Sequence, residues 1–211
     1  MVDNVAWLGH DSFRITGSKV VYIDPWHIAA GAPPADIVLV THEHSDHFDK
    51  GDIAKVSGPA TVVVAPSVVT KQLRGETLSV KPGDVVTVAG VTVRAVPAYN
   101  TNKFRQPGVV FHPQTDGKVG YVVDLDGTTY YHAGDTDVID EMSAIDVDVA
   151  FIPVSGTYVM TADEAAQACG KIHAKAVVPM HYGTIVGSVA DAERFSDLCS
   201  LPVTILERSV P

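Results

Sequence analysis

Cysteine is almost missing from this chain of 211 residues, which contains two, Cys169 and Cys199. The two lie in separate predicted helices and neither is part of a CxxC pair, so the sequence indicates neither a disulfide framework nor a thiolate zinc site. Any metal ion must therefore be held by histidine and carboxylate side chains. Such ligands suit Zn, Mn, Fe or Ni, and residue type alone does not choose among them.

Long apolar runs and an excess of positive charge are lacking as well. No apolar segment approaches the roughly 20 residues of a membrane helix, and the N-terminal "MVDNVAWLGHDSF" has no basic or continuously apolar part of a signal peptide. Lys and Arg number 15 against 25 Asp and Glu, a net charge of -10. This charge disfavours nucleic acid and anionic membranes as partners. We expect a cytoplasmic protein with a small-molecule substrate.

Short apolar runs rich in β-branched residues recur along the chain and predict strands. The predicted strands are 5–9, 12–16, 19–24, 36–41, 60–65, 84–90, 91–97, 119–125, 128–133, 148–154, 175–181 and 203–206. Turn signals such as "DLDGTT" and "TVAGVT" predict hairpins and much antiparallel pairing. Helices are predicted at 66–74, 161–173 and 188–200, the second opening with a capping box at Thr161 and Glu164. Without repeats or linkers, residues 1–211 are predicted to form one α+β domain.

The stretch "THEHSDHFD" at 41–49 directly follows the apolar run "DIVLV". Burying so many rings and carboxylates is costly unless a partner accepts their lone pairs, and a divalent metal ion is such a partner. In extended backbone the side chains of His42, His44 and Asp46 point to the same side. A following turn would bring His47 to a neighbouring position, so the segment can serve two adjacent ions.

Further ligands are expected at the ends of other strands. In "TTYYHAGDT" a glycine-containing turn carries His132 and Asp135, and the two oxygens of Asp135 could each bind one ion. In "AVVPMHYGT" a buried run ends on His181, for which a metal ligand is the best-fitting role. Asp24 in "YIDPW" is suited to accept a hydrogen bond from a ligating imidazole, and we assign His132 a similar supporting role.

The segments "HEHSDH", "YHAGDTD" and "PMHYGT", in this order, resemble the metallo-β-lactamase fold superfamily of metal-dependent hydrolases. The opening "WLGHDSFRI" with "YIDPW" is similar to its small stand-alone members around the ascorbate-phosphate lactonase group. The resemblance implies a four-layer αββα sandwich with mostly antiparallel or mixed sheets. It implies the following ligands: His42 and His44 for a first ion, Asp46, His47 and His181 for a second, and Asp135 bridging them.

The chain departs from that pattern where many relatives supply a third histidine to the first ion, because Asn100 stands there. His10 or His112 could fill the gap. We predict that His10 acts at the metal centre, that His112 contacts the substrate, and that Asn100 donates a hydrogen bond to the developing oxyanion. His27 and His173 are predicted to be surface or packing residues.

The predicted activity is hydrolysis of an ester, lactone or phosphodiester by a metal-activated hydroxide that Asp46 orients. One or two divalent ions are expected, Zn first, with Mn, Ni or Fe as alternatives. The long loop 99–118 is expected to be functional, with Lys103 and Arg105 suited to an anionic group. The alternatives are a metal-binding scaffold or sensor without turnover, and a nuclease or phosphodiesterase acting on nucleic acid.

Overall fold

The computed structural model describes residues 1–209 and contains two six-stranded sheets, one two-stranded hairpin and four α-helices within that range. The strands are Val5–Gly9 (β1), Ser12–Thr16 (β2), Val20–Ile23 (β3), Ala35–Leu39 (β4), Ser57–Pro66 (β5), Thr77–Val80 (β6), Val85–Val88 (β7), Val91–Pro97 (β8), Phe104–Gln106 (β9), Val109–Val110 (β10), Val119–Leu125 (β11), Thr128–His132 (β12), Asp146–Pro153 (β13) and His173–Met180 (β14). The helices are Lys50–Val56 (α1), Ser67–Thr70 (α2), Ala162–Cys169 (α3) and Val189–Leu198 (α4).

Both large sheets are mixed. The first has the order β1-β2-β3-β4-β5-β6, antiparallel up to β3 and parallel beyond it. The second has the order β14-β13-β12-β11-β8-β7, parallel from β12 to β14 and antiparallel elsewhere. Phe13 of β2 stacks on Phe151 of β13 with ring centroids 4.3 Å apart, so the sheets pack face to face.

Helices cover the outer faces of this pair of sheets. Along β4 and the residue after it, Ile37 and Leu39 join the core between the sheets, whereas Val38 and Val40 join a second core with residues of α1 and α2. This alternation explains why the run is apolar throughout, because both faces of the strand are buried. Helices α3 and α4 pack on each other and against β13 and β14. The predicted αββα sandwich is confirmed.

The element boundaries differ from the predictions in places that have local causes. The capping box at Thr161 and Glu164 is present, and α3 and α4 lie within the predicted ranges. Predicted helix 66–74 shrinks to the four residues of α2, and α1 was missed because it is short and lacks an apolar period. Predicted strand 203–206 contributes one isolated bridge at Val203. Loop 99–118 folds back as the hairpin β9–β10 and a short 3-10 helix.

The topology places several strand ends at one edge of each sheet. β1 and β3 are both antiparallel to β2, and β4 is parallel to β3, so the three strands end at the same edge. The parallel strands β12 and β14 likewise end together in the second sheet. The residues that follow these five strands therefore meet around one cleft. None of the helices within residues 1–209 is long and apolar enough to span a membrane.

Candidate metal centre

The backbone turns sharply at three of these strand ends. His10, Asp24 and His181 directly follow β1, β3 and β14, and their φ angles are 53°, 46° and 59°. This left-handed conformation costs a side-chain-bearing residue roughly 1–2 kcal/mol. Such strain persists where the surroundings enforce it, often at functional sites. Here it turns the two imidazoles and one carboxylate from the strand direction into the cleft.

A first set of metal-binding atoms consists of three imidazole nitrogens and one carboxylate oxygen, supplied by His42, His44, His112 and Asp135. His44 Nδ1 lies 3.1 Å from His42 Nε2 and 3.3 Å from His112 Nε2. Asp135 Oδ2 lies 3.4 Å from His112 Nε2 and 3.9 Å from His42 Nε2. These nitrogens surround one point closely enough to bind a common ion.

A second region holds two overlapping sets that share His47 and His181. One adds His10 and Asp46, and the other adds Asp11 and Asp135. The Nε2 atoms of His47 and His181 lie 3.3 Å and 3.5 Å from Asp135 Oδ1. Asp135 therefore faces the first set with Oδ2 and the second with Oδ1, as a bridging ligand would.

The residues present fit metal binding on their own chemistry. Among residues 1–209, His47 Nε2, His181 Nε2, Asp135 Oδ1 and both carboxylate oxygens of Asp11 are buried without a hydrogen-bond partner. Buried polar atoms are normally paired, and an unpaired carboxylate is especially costly. A divalent cation can accept one lone pair from each of these four residues, whereas hydrogen bonds within the described chain leave these atoms unpaired.

The electrostatics of the second region are those of a cation site. Burial by itself lowers the pKa of His47, but the charges of Asp135, Asp24 and Asp11 raise it well above its usual range. Burial likewise opposes protonation of His181, and Asp11 and Asp135 raise its pKa to about 9. Protons thus supply the positive charge that the carboxylates demand when no metal is bound.

The imidazoles of the first set behave in the opposite way. Burial, together with the neighbouring charge of His47, lowers the pKa of His42 well below its usual value. Burial lowers the pKa of His112 to about 4, despite the opposing charge of Asp135. Both rings are therefore neutral at pH 7, the form in which imidazole binds metal ions.

Hydrogen bonds behind the cluster fix the orientation of these rings. His47 Nδ1 lies 2.7 Å from Asp24 Oδ2, and His181 Nδ1 lies 2.9 Å from Ser155 Oγ. Thr41 donates its hydroxyl to Asp24 Oδ2 over 2.6 Å and lies 3.0 Å from His42 Nδ1. Such partners hold each ligating nitrogen toward the ion and set its tautomer. Asp24 occupies the supporting position expected from the sequence.

His132 supports the centre in another way. Its Nε2 donates to the carbonyl of Asp11 over 2.9 Å, and its Nδ1 accepts from the backbone of Gly134 over 3.2 Å. A side chain at position 134 would place Cβ 2.8 Å from the carbonyl of Val119, so this turn requires glycine. His132 thus connects the turn that carries Asp11 to the turn that carries Asp135. Its own ring belongs to none of the three sets of metal-binding atoms.

The structure corrects the predicted role of Asn100. Its Oδ1 accepts from the backbone N–H of His112 over 2.9 Å and lies 2.8 Å from His112 Nδ1, while Nδ2 donates to the carbonyl of Tyr158 over 2.8 Å. These contacts point the amide at the back of His112 rather than toward a developing oxyanion. His112, suggested both for the gap at the first ion and as a substrate contact, belongs to the first set. Its place in loop 99–118 did not decide between His112 and His10 as the third histidine.

Two further expectations are also revised by contacts. Lys103 Nζ lies 2.7 Å from Glu164 Oε2 and 3.4 Å from Asp137 Oδ1, so its charge is neutralised within the protein. Asp11, for which the sequence predicted no role, contributes its carboxylate to one of the sets of metal-binding atoms. His27 and His173 are exposed and lie outside all three sets.

Replacing Asn100 by alanine is expected to lower the affinity for the first ion by about 10–100-fold, because His112 loses the acceptor that orients its ring. Metal titration of the stripped protein measures the effect. Asn100→Asp keeps an acceptor and should lose less. The control is Asn102→Ala, whose amide contacts Glu164 at the surface. Unchanged affinity in Asn100→Ala would contradict this role.

Comparisons with known proteins identify the family and the fold of this chain. The model of the "Beta-lactamase superfamily domain" matches residues 4–181. A UPF0173 metal-dependent hydrolase of Pyrococcus abyssi is 37% identical and covers 92% of this chain and 91% of its own. A crystal structure from Parabacteroides distasonis, classed as a metal-dependent hydrolase, has a TM-score of 0.81 at 33% identity and covers 97% of this chain and 93% of its own. A metallo hydrolase of Ignicoccus hospitalis shares the fold, with a TM-score of 0.76 at 22% identity over 98% and 95%.

Two packed mixed sheets with a histidine and aspartate centre at their common edge define a metal-dependent hydrolase of the metallo-β-lactamase fold, as the sequence motifs predicted. Within this superfamily the chain belongs to the UPF0173 family of metal-dependent hydrolases.

Proposed function

We propose that the protein hydrolyses an ester or lactone bond in a small molecule of the cytoplasm. The observation that carries the proposal is a cavity of about 140 Å³ that reaches metal-binding atoms of both regions. Its lining residues are His44, Asp46, Phe111, His112, Asp135 and Tyr158. A structural metal site would be closed by its ligands, whereas a catalytic site keeps access for water and substrate. The cavity therefore favours turnover over a scaffold or sensor.

The carboxylate of Asp46 would orient the attacking water. Bound divalent ions would supply Lewis acidity, polarising the scissile group and lowering the pKa of a water molecule. The Asp46 side chain is 19% exposed and lies 3.3 Å from His10 Nε2. Although burial opposes it, the hydrogen bond from His10 and the charge of His47 lower the pKa of Asp46 below its usual range. The carboxylate is thus ionised at neutral pH and can accept a hydrogen bond from water.

The lining favours a neutral reacting group. Phe111 and Tyr158 form one wall, with their rings edge to face at a centroid distance of 4.7 Å. None of the described residues lining the cavity is Lys or Arg. A phosphodiester or sugar phosphate site is commonly built with such cationic groups. An ester or lactone is therefore the first candidate substrate, in keeping with the resemblance to the lactonase group, and a phosphodiester is the second.

Size and charge weigh against nucleic acid as substrate. A cavity of about 140 Å³ is small beside the roughly 300–1,000 Å³ of pockets that enclose drug-sized ligands. The cavity therefore accommodates the reacting end of a substrate rather than the whole of a large molecule. The net charge of -10 adds repulsion of a phosphate backbone.

The test is a panel of lactones, simple esters and phosphodiesters assayed with metal-loaded protein, wild type against His44→Ala and Asp46→Ala. We expect turnover of lactones or esters that both substitutions reduce, together with lower metal content in the variants. Asp140→Asn is the control, because it breaks a surface ion pair with Lys171. Hydrolysis restricted to phosphodiesters would favour the second candidate. Metal binding with no turnover across the panel would favour the scaffold.

A further inference from the structure

We propose that Asp11 is a metal ligand of the second region, binding a divalent ion together with His47, His181 and Asp135. This set of metal-binding atoms takes its additional carboxylate from the turn between β1 and β2. Metal binding by Asp11 does not depend on which bond the protein hydrolyses.

The turn that carries Asp11 is fixed by three hydrogen bonds. The carbonyl of His10 accepts from Trp7 Nε1 over 2.9 Å and from the backbone N–H of His181 over 3.1 Å. The carbonyl of Asp11 accepts from His132 over 2.9 Å. The backbone on both sides of the Asp11 side chain is therefore held, and its carboxylate is preorganised within the centre rather than free to turn toward solvent.

The carboxylate itself is wholly buried and unpaired. Asp11 has 0% exposure, and neither of its oxygens has a hydrogen-bond partner among residues 1–209. Its Oδ2 lies 3.4 Å from His10 Nε2, 3.6 Å from His47 Nε2 and 3.9 Å from His181 Nε2. An isolated ionised carboxylate at such a place is strongly unfavourable unless a cation balances it.

The hydrogen bond of His47 to Asp24 decides which of its ring nitrogens faces the cation site. Nδ1 of neutral His47 donates its hydrogen to Asp24, a carboxylate that only accepts. Its Nε2 then carries a lone pair and faces Asp11 and Asp135. Without a metal, a proton on Nε2 balances the two carboxylates, and a divalent ion would take the place of that proton. Such an ion satisfies the lone pair and both carboxylates.

Asp11 also changes which metal this region prefers. With Asp11 and Asp135, two carboxylates accompany two imidazoles, and His10 and Asp46 lie beside them. Four-coordinate histidine-rich sites suit Zn, whereas carboxylate oxygen and higher coordination numbers suit Mn. Asp11 should therefore raise the affinity for Mn²⁺ more than the affinity for Zn²⁺.

The experiment strips the full-length protein of metal and titrates it with Mn²⁺ and, separately, Zn²⁺, following bound metal by calorimetry and elemental analysis. Wild type is compared with Asp11→Asn, which keeps the shape of the side chain, and with Asp11→Ser. The matched control is Asp52→Asn, a buried carboxylate away from the centre that accepts hydrogen bonds from the backbone of His27 and Ile28.

We expect Asp11→Asn to weaken one of two binding events by at least ~10-fold, with the larger loss for Mn²⁺. Loss of a residue that only supports a ligand already lowers metal affinity by about 10-fold or more, and loss of a ligand should cost at least as much. The control should bind like wild type. Wild-type Mn²⁺ and Zn²⁺ affinities in Asp11→Asn would overturn the proposal, even if turnover fell. If Asp11→Asn does not fold, as judged by circular dichroism of the stripped protein, the same titrations on Asp11→Ser decide. If Asp11→Asn weakens metal binding and the wild type hydrolyses nothing on the panel, the role of Asp11 as a ligand is supported. Only the proposed hydrolysis is then contradicted.

Discussion

Replacing Asp135 by alanine is expected to abolish binding of both ions and to lower turnover by more than ~100-fold, beyond the range for residues that merely support a ligand. The reason is that this carboxylate faces both regions. Its Oδ2 is 3.4 Å from His112 Nε2, and its Oδ1 is 3.3 Å from His47 Nε2. No other side chain within residues 1–209 belongs to both the first set and a set of the second region.

Metal content per chain and steady-state kinetics on the best substrate of the panel measure the effect. The comparison variant is His44→Ala, which removes a ligand from the first set only and should leave one ion bound. Asp140→Asn is again the surface control. If Asp135→Ala bound one ion with wild-type affinity, the carboxylate would serve a single region and the bridging geometry would be wrong.

Part of this centre could be predicted from the sequence because strand ends have a recognisable signature. A buried apolar run that stops at a histidine or aspartate places that residue at a sheet edge, and His42, Asp24 and His181 all follow such runs. Asp24 and His42 meet at one edge because β3 and β4 run in the same direction. β-Branched runs and hairpin signals likewise indicated the strands and much antiparallel pairing, whereas the parallel strand order arises from long-range packing that no local pattern records.

The role of Asp11, and the choice between His10 and His112 for the gap in the first set, depend on the path of loops. Asp11 reads as an ordinary turn residue, and only the left-handed backbone of His10 and the contact with His132 turn it inward. His112 lies in a segment without period, and the hydrogen bonds of Asn100 draw it back to the cluster from a distant part of the chain. The residue at position 100 thus departs from the family pattern while orienting the histidine that completes the set.

Removing the metal is expected to lower the thermal midpoint by about 8–16 °C. A ligand present at 1,000 times its Kd stabilises the folded state by ~4.1 kcal/mol if the unfolded chain does not bind it. For a chain of this size, each kcal/mol shifts the midpoint by roughly 2–4 °C. The structural basis is the set of buried, unpaired atoms on Asp11, His47, Asp135 and His181, which a divalent ion satisfies.

Scanning calorimetry of chelator-treated and metal-reconstituted protein measures this shift, and Asp135→Ala provides the matched comparison. Because that variant lacks the carboxylate that faces both regions, its midpoint should change little on adding metal. A wild-type midpoint that does not depend on metal would mean that the centre is stable with protons alone on His47 and His181, whose raised pKa values allow it. The cluster would then be held by imidazolium and carboxylate pairs, and the folded state would not bind metal in preference to the unfolded chain, which contradicts the assigned metal centre.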